Sequence, residues 1–224
     1  MKVPVVLGAI AAIAIAERLW PLRTRREKQA PHVVRDLAAG ALSAIAMKAC
    51  SAGLRPASRR PPGRRHHTLH IAAQILLLDY TLFLWHAANH HVPLLWRFHR
   101  FHHQDRDLDT ATAARFHPAE MSLSVLFRWL QVRVIDPDPL AMSIWQTMLL
   151  SSIVFHHSNT RLPQRADDAM ARALVTPRMH GIHHSAVPEE TNSNFASLFT
   201  WWDMLHGTYR IDVSQESITI GAPV

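Results

Sequence analysis

The sequence has 224 residues, 17 histidines, 7 glycines, a single cysteine and a formal net charge of +7. The lone thiol, Cys50, excludes an internal disulfide and a cysteine-based zinc or iron–sulfur site. The scarcity of glycine and the lack of a regular turn rhythm argue against a β-sandwich, barrel or solenoid. Histidine is the commonest metal-ligating side chain, so its abundance suggests metal binding. The basic charge suits an anionic membrane face or a nucleic acid.

The first apolar block runs from Val3 to Ala16 and is followed at once by a basic segment. It is short for a membrane span unless Leu19 and Trp20 extend it. Positive charge downstream of the block favours an uncleaved membrane helix whose basic flank is cytoplasmic. The alternative is a signal peptide, because Ala14-Ile15-Ala16 resembles a cleavage site.

A second apolar block runs from Leu37 to Leu54 with Lys48 inside it, and a third runs from Ile71 to Ala88. If the first three blocks all span a membrane, the basic stretch Arg55–Arg65 lies outside, against the positive-inside rule. A re-entrant second block, broken at Lys48, puts both basic stretches inside. The sequence leaves these two topologies open.

A fourth block, from Met121 to Ile135, and a fifth, from Leu140 to Phe155, flank the turn Asp136-Pro137-Asp138-Pro139. Two Asp-Pro steps break helices strongly. The pair therefore predicts a helical hairpin that leaves the histidine-rich surface and returns to it.

The histidines form four clusters with helical spacing. Residues at i, i+3 and i+4 share one face of a helix, so each cluster aims two or three imidazoles at one point. Nine imidazoles from these clusters, all but that of His156, exceed what one metal needs, and they suit two metals with four or five nitrogens each and an open position. An all-nitrogen set favours Fe, Zn, Cu or Ni over Mg or Ca. The clusters are His86 and His90; His99, His102 and His103; His156 and His157; and His180, His183 and His184.

The other histidines fall outside this pattern. A pH-sensing or nucleic-acid-binding basic surface would explain the charge but not the spacing, and the aromatic residues are not interleaved with Lys or Arg as in a single-strand binder. We therefore expect no nucleic-acid partner. His91 and His156 adjoin cluster members but are expected to point off the shared face. Predicted surface or loop histidines are His32, His66, His67, His70 and His206.

Asp79 lies seven positions before His86 on the same face of the third block. A carboxylate inside an apolar block is costly unless it has a partner. We expect Asp79 to orient a ligand histidine, His86 or His90, by accepting its distal N–H. The alternative is an ion pair with Arg128 that only stabilises the helix bundle.

Several ordered segments carry a family resemblance. They are Asp79-Tyr80 with His86-Ala87-Ala88-Asn89-His90, Trp96-Arg97-Phe98-His99-Arg100-Phe101-His102-His103, Arg115-Phe116-His117-Pro118-Ala119-Glu120, His157-Ser158-Asn159, Thr176-Pro177-Arg178-Met179-His180-Gly181-Ile182-His183-His184, Asn192-Ser193-Asn194-Phe195, and Trp202-Asp203 with Gly207-Thr208-Tyr209. Together they resemble the fatty acid hydroxylase/sterol desaturase superfamily. The similarity covers residues 79–210, and residues 1–224 are interpreted as one domain.

The resemblance implies an all-α, integral-membrane bundle of about four to five membrane-embedded helices with a cytoplasmic, histidine-rich helical cap. It implies a non-heme di-iron oxygenase with two iron ions, which zinc can replace in purified protein, and with O2 as co-substrate. The expected partners are a lipid substrate, the membrane (a bacterial inner or ER-type membrane) and an external electron donor, a reductase with a cytochrome or ferredoxin.

The resemblance also implies site residues. None of the departures from the family pattern, at His91, Asn192, Ala196 and His206, removes a ligand. The role of His117, which matches a family histidine, stays open. Implied metal ligands are His86, His90, His99, His102, His103, His157, His180, His183 and His184, and implied catalytic positions are Asp79, Glu120 and Asn194.

Two other functions remain as alternatives. A membrane fatty-acyl desaturase uses similar histidine spacing, but the Arg-x-His-Pro-x-Glu and Thr-Pro-Arg-x-His segments favour the hydroxylase/sterol group. A histidine-lined metal transporter would need polar residues threading several spans, whereas these histidines lie at helix ends. Sterol, fatty acyl, carotenoid and alkyl-glycerol lipids all remain open as substrates, as does hydroxylation against desaturation.

Overall fold

The computed structural model describes residues 2–54 and 68–222, with the backbone alone for residues 2–7. Within these ranges the chain forms helices and three isolated bridges but no β-strand, which confirms the predicted all-α class. The stretch Arg55–Arg65, His66 and His67 lie outside the described residues. The helices are α1 (Lys2–Leu19), α2 (Gln29–Ser51), α3 (Thr68–His91), α4 (Pro93–His103), α5 (Pro118–Ile135), α6 (Pro139–His157), α7 (Gln164–Ala171), α8 (Pro177–His183), α9 (Pro188–Thr191) and α10 (Trp201–His206), with a 3-10 turn at Thr112–Ala114.

The predicted hairpin of α5 and α6 is confirmed. Helix α5 ends at Ile135 because Asp136 adopts a left-handed conformation, with φ of 44°. Helix α6 begins at Pro139, which needs no amide hydrogen in the first turn, and the Asp138 carboxylate accepts a hydrogen bond from the Leu140 amide at 2.8 Å.

Helix α2 runs without a break from Gln29 to Ser51. The break at Lys48 that the re-entrant alternative predicts is therefore wrong. The start of α2 lies beside the segment after α4, because His32 contacts Asp105 at 2.8 Å. The far end of α2 packs along α5, where Cys50 approaches the Ser122 carbonyl.

The long helices bring their polar ends together on one side of the molecule. Helices α3 and α6 end in histidines, at His91 and His157, whereas α5 begins directly after His117. Successive long helices therefore run antiparallel, and the short helices α4 and α8 lie across these ends. This arrangement places every histidine cluster at the same level.

Apolar side chains remain exposed along the long helices. Helix α3 is the one helix among the described residues whose length and mean hydropathy, 1.4, suit a membrane span, and only 28% of that window is buried. Exposed apolar side chains in such number are typical of a membrane or protein contact. Exposed examples are Leu37, Leu42 and Ile45 on α2, Leu69, Leu77 and Leu84 on α3, Leu126, Leu130 and Val134 on α5, and Leu140 and Leu150 on α6.

Asp79 is buried between α3, α6 and the segment before α10. Its carboxylate accepts hydrogen bonds from the indole of Trp202 at 2.7 Å, the Phe199 amide at 3.2 Å and the indole of Trp145 at 3.4 Å. None of these donors is a histidine, so the predicted contact with His86 or His90 is wrong.

The alternative partner of Asp79 is also wrong. The guanidinium of Arg128 stacks on the Trp145 ring, with Cζ 4.1 Å from the centroid, and forms no ion pair with Asp79. Asp79 instead ties the apolar cluster of Leu78, Trp145 and Leu198 to the segment that leads into α10. Its position therefore supports packing, and its contacts do not reach the histidines.

Asp79→Asn is expected to destabilise the fold by roughly 1–3 kcal/mol, because the new amide nitrogen would face N–H donors and leave at least one of them unpaired. Metal content per folded chain should stay unchanged. Thermal unfolding and elemental analysis of the same sample test both points. The control is Asp212→Asn, whose side chain is 75% exposed. A stable Asp79→Asn protein that has lost its metal would contradict this assignment.

Candidate metal centre

The nine histidines implied as ligands come together in two groups. In each group, one potential ligand atom from every residue lies within 4.8 Å of the others. The first group holds His86, His90, His99, His103 and His183, and the second holds His102, His157, His180 and His184.

Helices α4 and α8 each supply histidines to both groups. On α4, His99 and His103 belong to the first group and His102 to the second. On α8, His183 belongs to the first group and His180 to the second. His184, directly after the helix, also belongs to the second. The i, i+3, i+4 spacing thus spreads imidazoles to either side of one helix face, so each short helix lies between the two groups.

Local sequence fixes the start of α8. Pro177 occupies the first turn, and the Thr176 hydroxyl accepts a hydrogen bond from the Met179 amide. Gly181 lies on the face opposite the metal groups, where a Cβ would meet the Arg23 guanidinium at 2.3 Å. The glycine between the histidines therefore lets Arg23 approach the helix.

Main-chain carbonyls fix the tautomers of four ligand candidates. Because a carbonyl only accepts, each Nδ1 carries the proton and each Nε2 presents its lone pair. The Nδ1 atoms donate from His86 to Phe195 O at 2.7 Å, from His102 to Arg115 O at 3.0 Å, from His157 to Ile153 O at 2.7 Å and from His183 to Ser193 O at 2.8 Å.

Glu120 does the same for His99. Its Oε1 lies 2.7 Å from His99 Nδ1, and both side chains are buried. A carboxylate in this position fixes the ring orientation and raises the basicity of the opposite nitrogen. Glu120, implied as a catalytic position, thus contacts the ligand candidate His99. Any effect of Glu120 on a bound metal would pass through that imidazole.

The Nε2 atoms face one another at short range. His86 Nε2 lies 3.2 Å from that of His99 and 3.1 Å from that of His183, and the Nε2 atoms of His102 and His157 are 3.1 Å apart. With the protons held on Nδ1, these contacts join two lone pairs and are repulsive unless a cation lies between them. Two nitrogens bound to one ion at ~2.0–2.1 Å lie about 2.9–3.4 Å apart.

His90 gives a further indication that the first group suits a metal ion. Both of its ring nitrogens are buried without a hydrogen-bond partner among the described residues. A buried polar atom of this kind needs a partner, since leaving it unpaired costs free energy. The donor set, the tautomers and the spacing all fit transition-metal ions held by imidazole.

Burial keeps five of the imidazoles on α4 and at α8 uncharged. It lowers the pKa of His102, His103, His180 and His184 well below the usual 6.5, and neighbouring imidazoles lower it further. Burial also lowers the pKa of His183, to about 3. These five imidazoles are therefore neutral at pH 7, which is the form that binds a metal.

An apolar cavity of about 490 Å³ opens onto both histidine groups. Leu82, Trp85, Phe127, Leu149 and Ile153 form much of its wall. The polar end of the cavity is lined by His86 and His99 of the first group and by His102, His157 and His180 of the second, with Glu120 beside them. Such a cavity suits a ligand with a long apolar body that presents one part to the metals.

Asn194, an implied catalytic position, contacts no histidine. Its backbone is left-handed, with φ of 53°, and its side chain donates to Met179 O at 3.1 Å and Arg210 O at 2.8 Å while accepting from the Arg210 amide. The carbonyls on either side of it, Ser193 O and Phe195 O, accept from His183 and His86. Asn194 therefore holds the loop that orients one histidine from each of α8 and α3.

Two further histidines are buried. His156 belongs to neither metal group, but its ring centroid lies 4.1 Å from that of His180 and it lines the cavity. His32 was expected at the surface, but it is buried against Asp36 and Asp105. The acidic residue four positions after His32 was the sequence signal for that pairing.

The remaining described histidines lie outside both groups. The His117 ring caps α5 by accepting from the Ala119 amide at 3.1 Å. His70, His91 and His206 are exposed. Sequence spacing therefore separates the grouped histidines from the rest, except that His156 packs beside the second group.

The sequence model of the fatty acid hydroxylase family matches residues 71–208. Ornithine lipid hydroxylase OlsE of Rhizobium tropici is 25% identical over 233 residues, covering 97% of this chain and 69% of that protein. Human cholesterol 25-hydroxylase is 30% identical over 144 residues, covering 63% and 51%. Alkylglycerol monooxygenase of Xenopus tropicalis is 30% identical over 132 residues, covering 59% and 28%. The chain thus spans about half or less of the last two relatives, and no solved structure matches it.

Metal-free protein is expected to lose stability as the pH falls below about 6.5. The buried histidines have pKa values below those of the unfolded chain, so the unfolded state binds more protons in this range. Stability is complete above pH 6.5 and declines towards pH 3, while bound metal shifts the decline to lower pH. Thermal unfolding of chelated and metal-loaded protein between pH 7.5 and 5 measures this. Unfolding of the chelated protein that is independent of pH would contradict it.

Proposed function

The chain belongs to the fatty acid hydroxylase family, and from this premise we propose that it is a membrane-bound, metal-dependent oxygenase that hydroxylates a C–H bond of a lipid. The observation that carries the proposal is the apolar cavity that opens onto both histidine groups. The balanced reaction is R–H + O2 + 2 e⁻ + 2 H⁺ giving R–OH + H2O. Hydroxylation is favoured over desaturation because the named relatives are hydroxylases and monooxygenases.

Two iron ions are the proposed cofactors, one in the group of five histidines and one in the group of four. Iron supplies the O2 activation that no side chain of the protein can perform. Zinc could occupy the same sites in purified protein, since imidazole nitrogen binds both metals.

The protein's own residues orient the ligands and the substrate. Backbone carbonyls and Glu120 hold the imidazoles with Nε2 facing inward. The walls around Leu82, Phe127 and Leu149 bind an apolar chain and exclude water from the reacting carbon. These contacts decide which carbon of the lipid lies beside the histidines.

We propose that the long helices α1, α2, α3, α5 and α6 are embedded in the membrane, with the histidine ends and helices α4 and α7–α10 forming a cytoplasmic cap. The exposed apolar side chains of these helices support the embedding. The basic residues Arg23, Arg25 and Arg26, which follow α1 at the histidine end, support the orientation.

We propose an external electron donor, a reductase with a cytochrome or ferredoxin, because each turnover consumes two electrons. The alternative of a metal transporter is disfavoured, because the histidine groups lie at one end of the long helices and do not form a path along them. A desaturase remains the second candidate, distinguished by its alkene product.

Lipidomic comparison of cells with and without the gene tests the function. The expected result is a lipid whose mass rises by one oxygen atom, only in cells with the gene and only under O2. A loss of two hydrogen atoms would identify the desaturase alternative. Unchanged lipids in cells that contain the metal-loaded protein would overturn the proposal.

His183→Ala and His102→Ala remove one ligand from the first and second group respectively. Each variant is expected to lose about one of two metal ions per chain and nearly all turnover, because neither group can then hold its ion tightly. Elemental analysis and the lipid assay on folded protein measure both effects. His91→Ala, at an exposed histidine outside the groups, is the matched control. Equal metal loss in all three variants would contradict the ligand assignment.

A further inference from the structure

A second cavity, of about 840 Å³, lies at the end of α1 on the cap side of the molecule. Its lining is strongly basic, since six arginines face three carboxylates there. The arginines are Arg18, Arg23, Arg25, Arg26, Arg106 and Arg161, and the carboxylates are Glu17, Asp107 and Glu216. It shares no lining residue with the apolar cavity at the metal groups.

Two of these carboxylates accept hydrogen bonds from backbone amides. Asp107 accepts from the amides of Arg26 at 2.8 Å and Glu27 at 2.6 Å. Glu17 accepts from the amides of Thr110 at 3.0 Å and Asn159 at 3.1 Å. Among the described residues, Arg25 is the one lining arginine with a carboxylate oxygen within 4 Å. The cavity therefore keeps excess positive charge.

Arg23 is the buried member of this set. Only 9% of it is exposed, and its Nη1 donates to two neutral acceptors, Gln215 Oε1 at 2.6 Å and Pro177 O at 3.2 Å. Its Nε and Nη2 are buried without a partner among the described residues. Burial lowers the pKa of Arg23 to about 10, which still leaves it charged at pH 7. The carboxylates of Glu17 and Asp107 partly offset this burial, but neither contacts the guanidinium, and a bound anion would offset the remaining cost.

Exposed apolar side chains at the end of α1 neighbour the lining residues Glu17, Arg18 and Pro21 in sequence. Ile15, Leu19 and Trp20 are 56–61% exposed and lie on either side of Arg18 in the sequence. Tryptophan next to arginine at the end of an apolar helix is typical of the membrane–water interface. A lipid lying along α1 would place its acyl chains on these residues and its headgroup at the cavity.

We propose that the cavity lined by Arg23 binds the phosphate group of an anionic membrane phospholipid. Arginine forms charge-assisted, often bidentate hydrogen bonds with phosphate, and basic pockets between membrane helices bind anionic headgroups. The excess of arginines over carboxylates favours a net anionic lipid over a zwitterionic one. The site requires neither the metals nor turnover, so it stands or falls independently of the proposed function.

Native mass spectrometry of the full chain in neutral detergent tests the site with phosphatidylglycerol and phosphatidylcholine of the same acyl chains. Wild-type protein is expected to retain phosphatidylglycerol at least about tenfold more strongly, which corresponds to ~1.4 kcal/mol. Arg23→Gln should reduce that retention to the phosphatidylcholine level. Arg172→Gln, at an exposed arginine outside the cavity, is the matched control and should match wild type.

A second variant covers the case in which Arg23→Gln does not fold. Arg26 and Arg106 are exposed at the cavity rim, and the double change to Gln should lower phosphatidylglycerol retention several-fold without loss of folding. Equal retention of both lipids by wild-type protein would overturn the proposal. Thermal stabilisation by inorganic phosphate without retention of phosphatidylglycerol would overturn the lipid assignment, since the site would then take free phosphate.

Discussion

The close approach of imidazole lone pairs is the constraint on which the rest of the structure depends. The Nε2 atom of His86 lies about 3 Å from those of His99 and His183, in an interior that offers them no protons. Such a cluster is unfavourable on its own, so the surrounding chain must hold each ring against repulsion. Cations between the nitrogens would turn the same geometry into the most stable part of the molecule.

The loops of the cap hold the imidazole rings in these orientations. The loop from Ser193 to Phe195 supplies two of the carbonyls that fix ring orientation, and the turn at Arg115 supplies another. Asn194 in turn holds the first loop through hydrogen bonds to Met179 and Arg210. Irregular backbone in this protein is thus ordered by side-chain hydrogen bonds and by the histidines together, and the long helices contribute only their ends.

The long helices and the grouped histidines could be predicted from the sequence, whereas the partners of Asp79 could not. The difference has a physical reason. Apolar blocks and Asp-Pro steps predict α5 and α6 because helix length and termination are local properties. The i, i+3, i+4 spacing selects the grouped histidines for the same reason. The partners of Asp79 lie 66, 120 and 123 positions away, so only the packing of distant segments reveals that they are indoles and an amide. The division of α4 between the two groups, with His102 apart from His99, likewise depends on how helices cross.

The contribution of α8 to both groups has a consequence for biosynthesis. Neither group is complete until residues 180–184 have emerged from the ribosome, by which time α3 and α6 have long been made. The histidines of α3, α4 and α6 are therefore synthesised before the histidines with which they form the two groups. Both proposed metal sites gain their full set of imidazoles only after translation of α8, so their completion is a late step in the maturation of this protein.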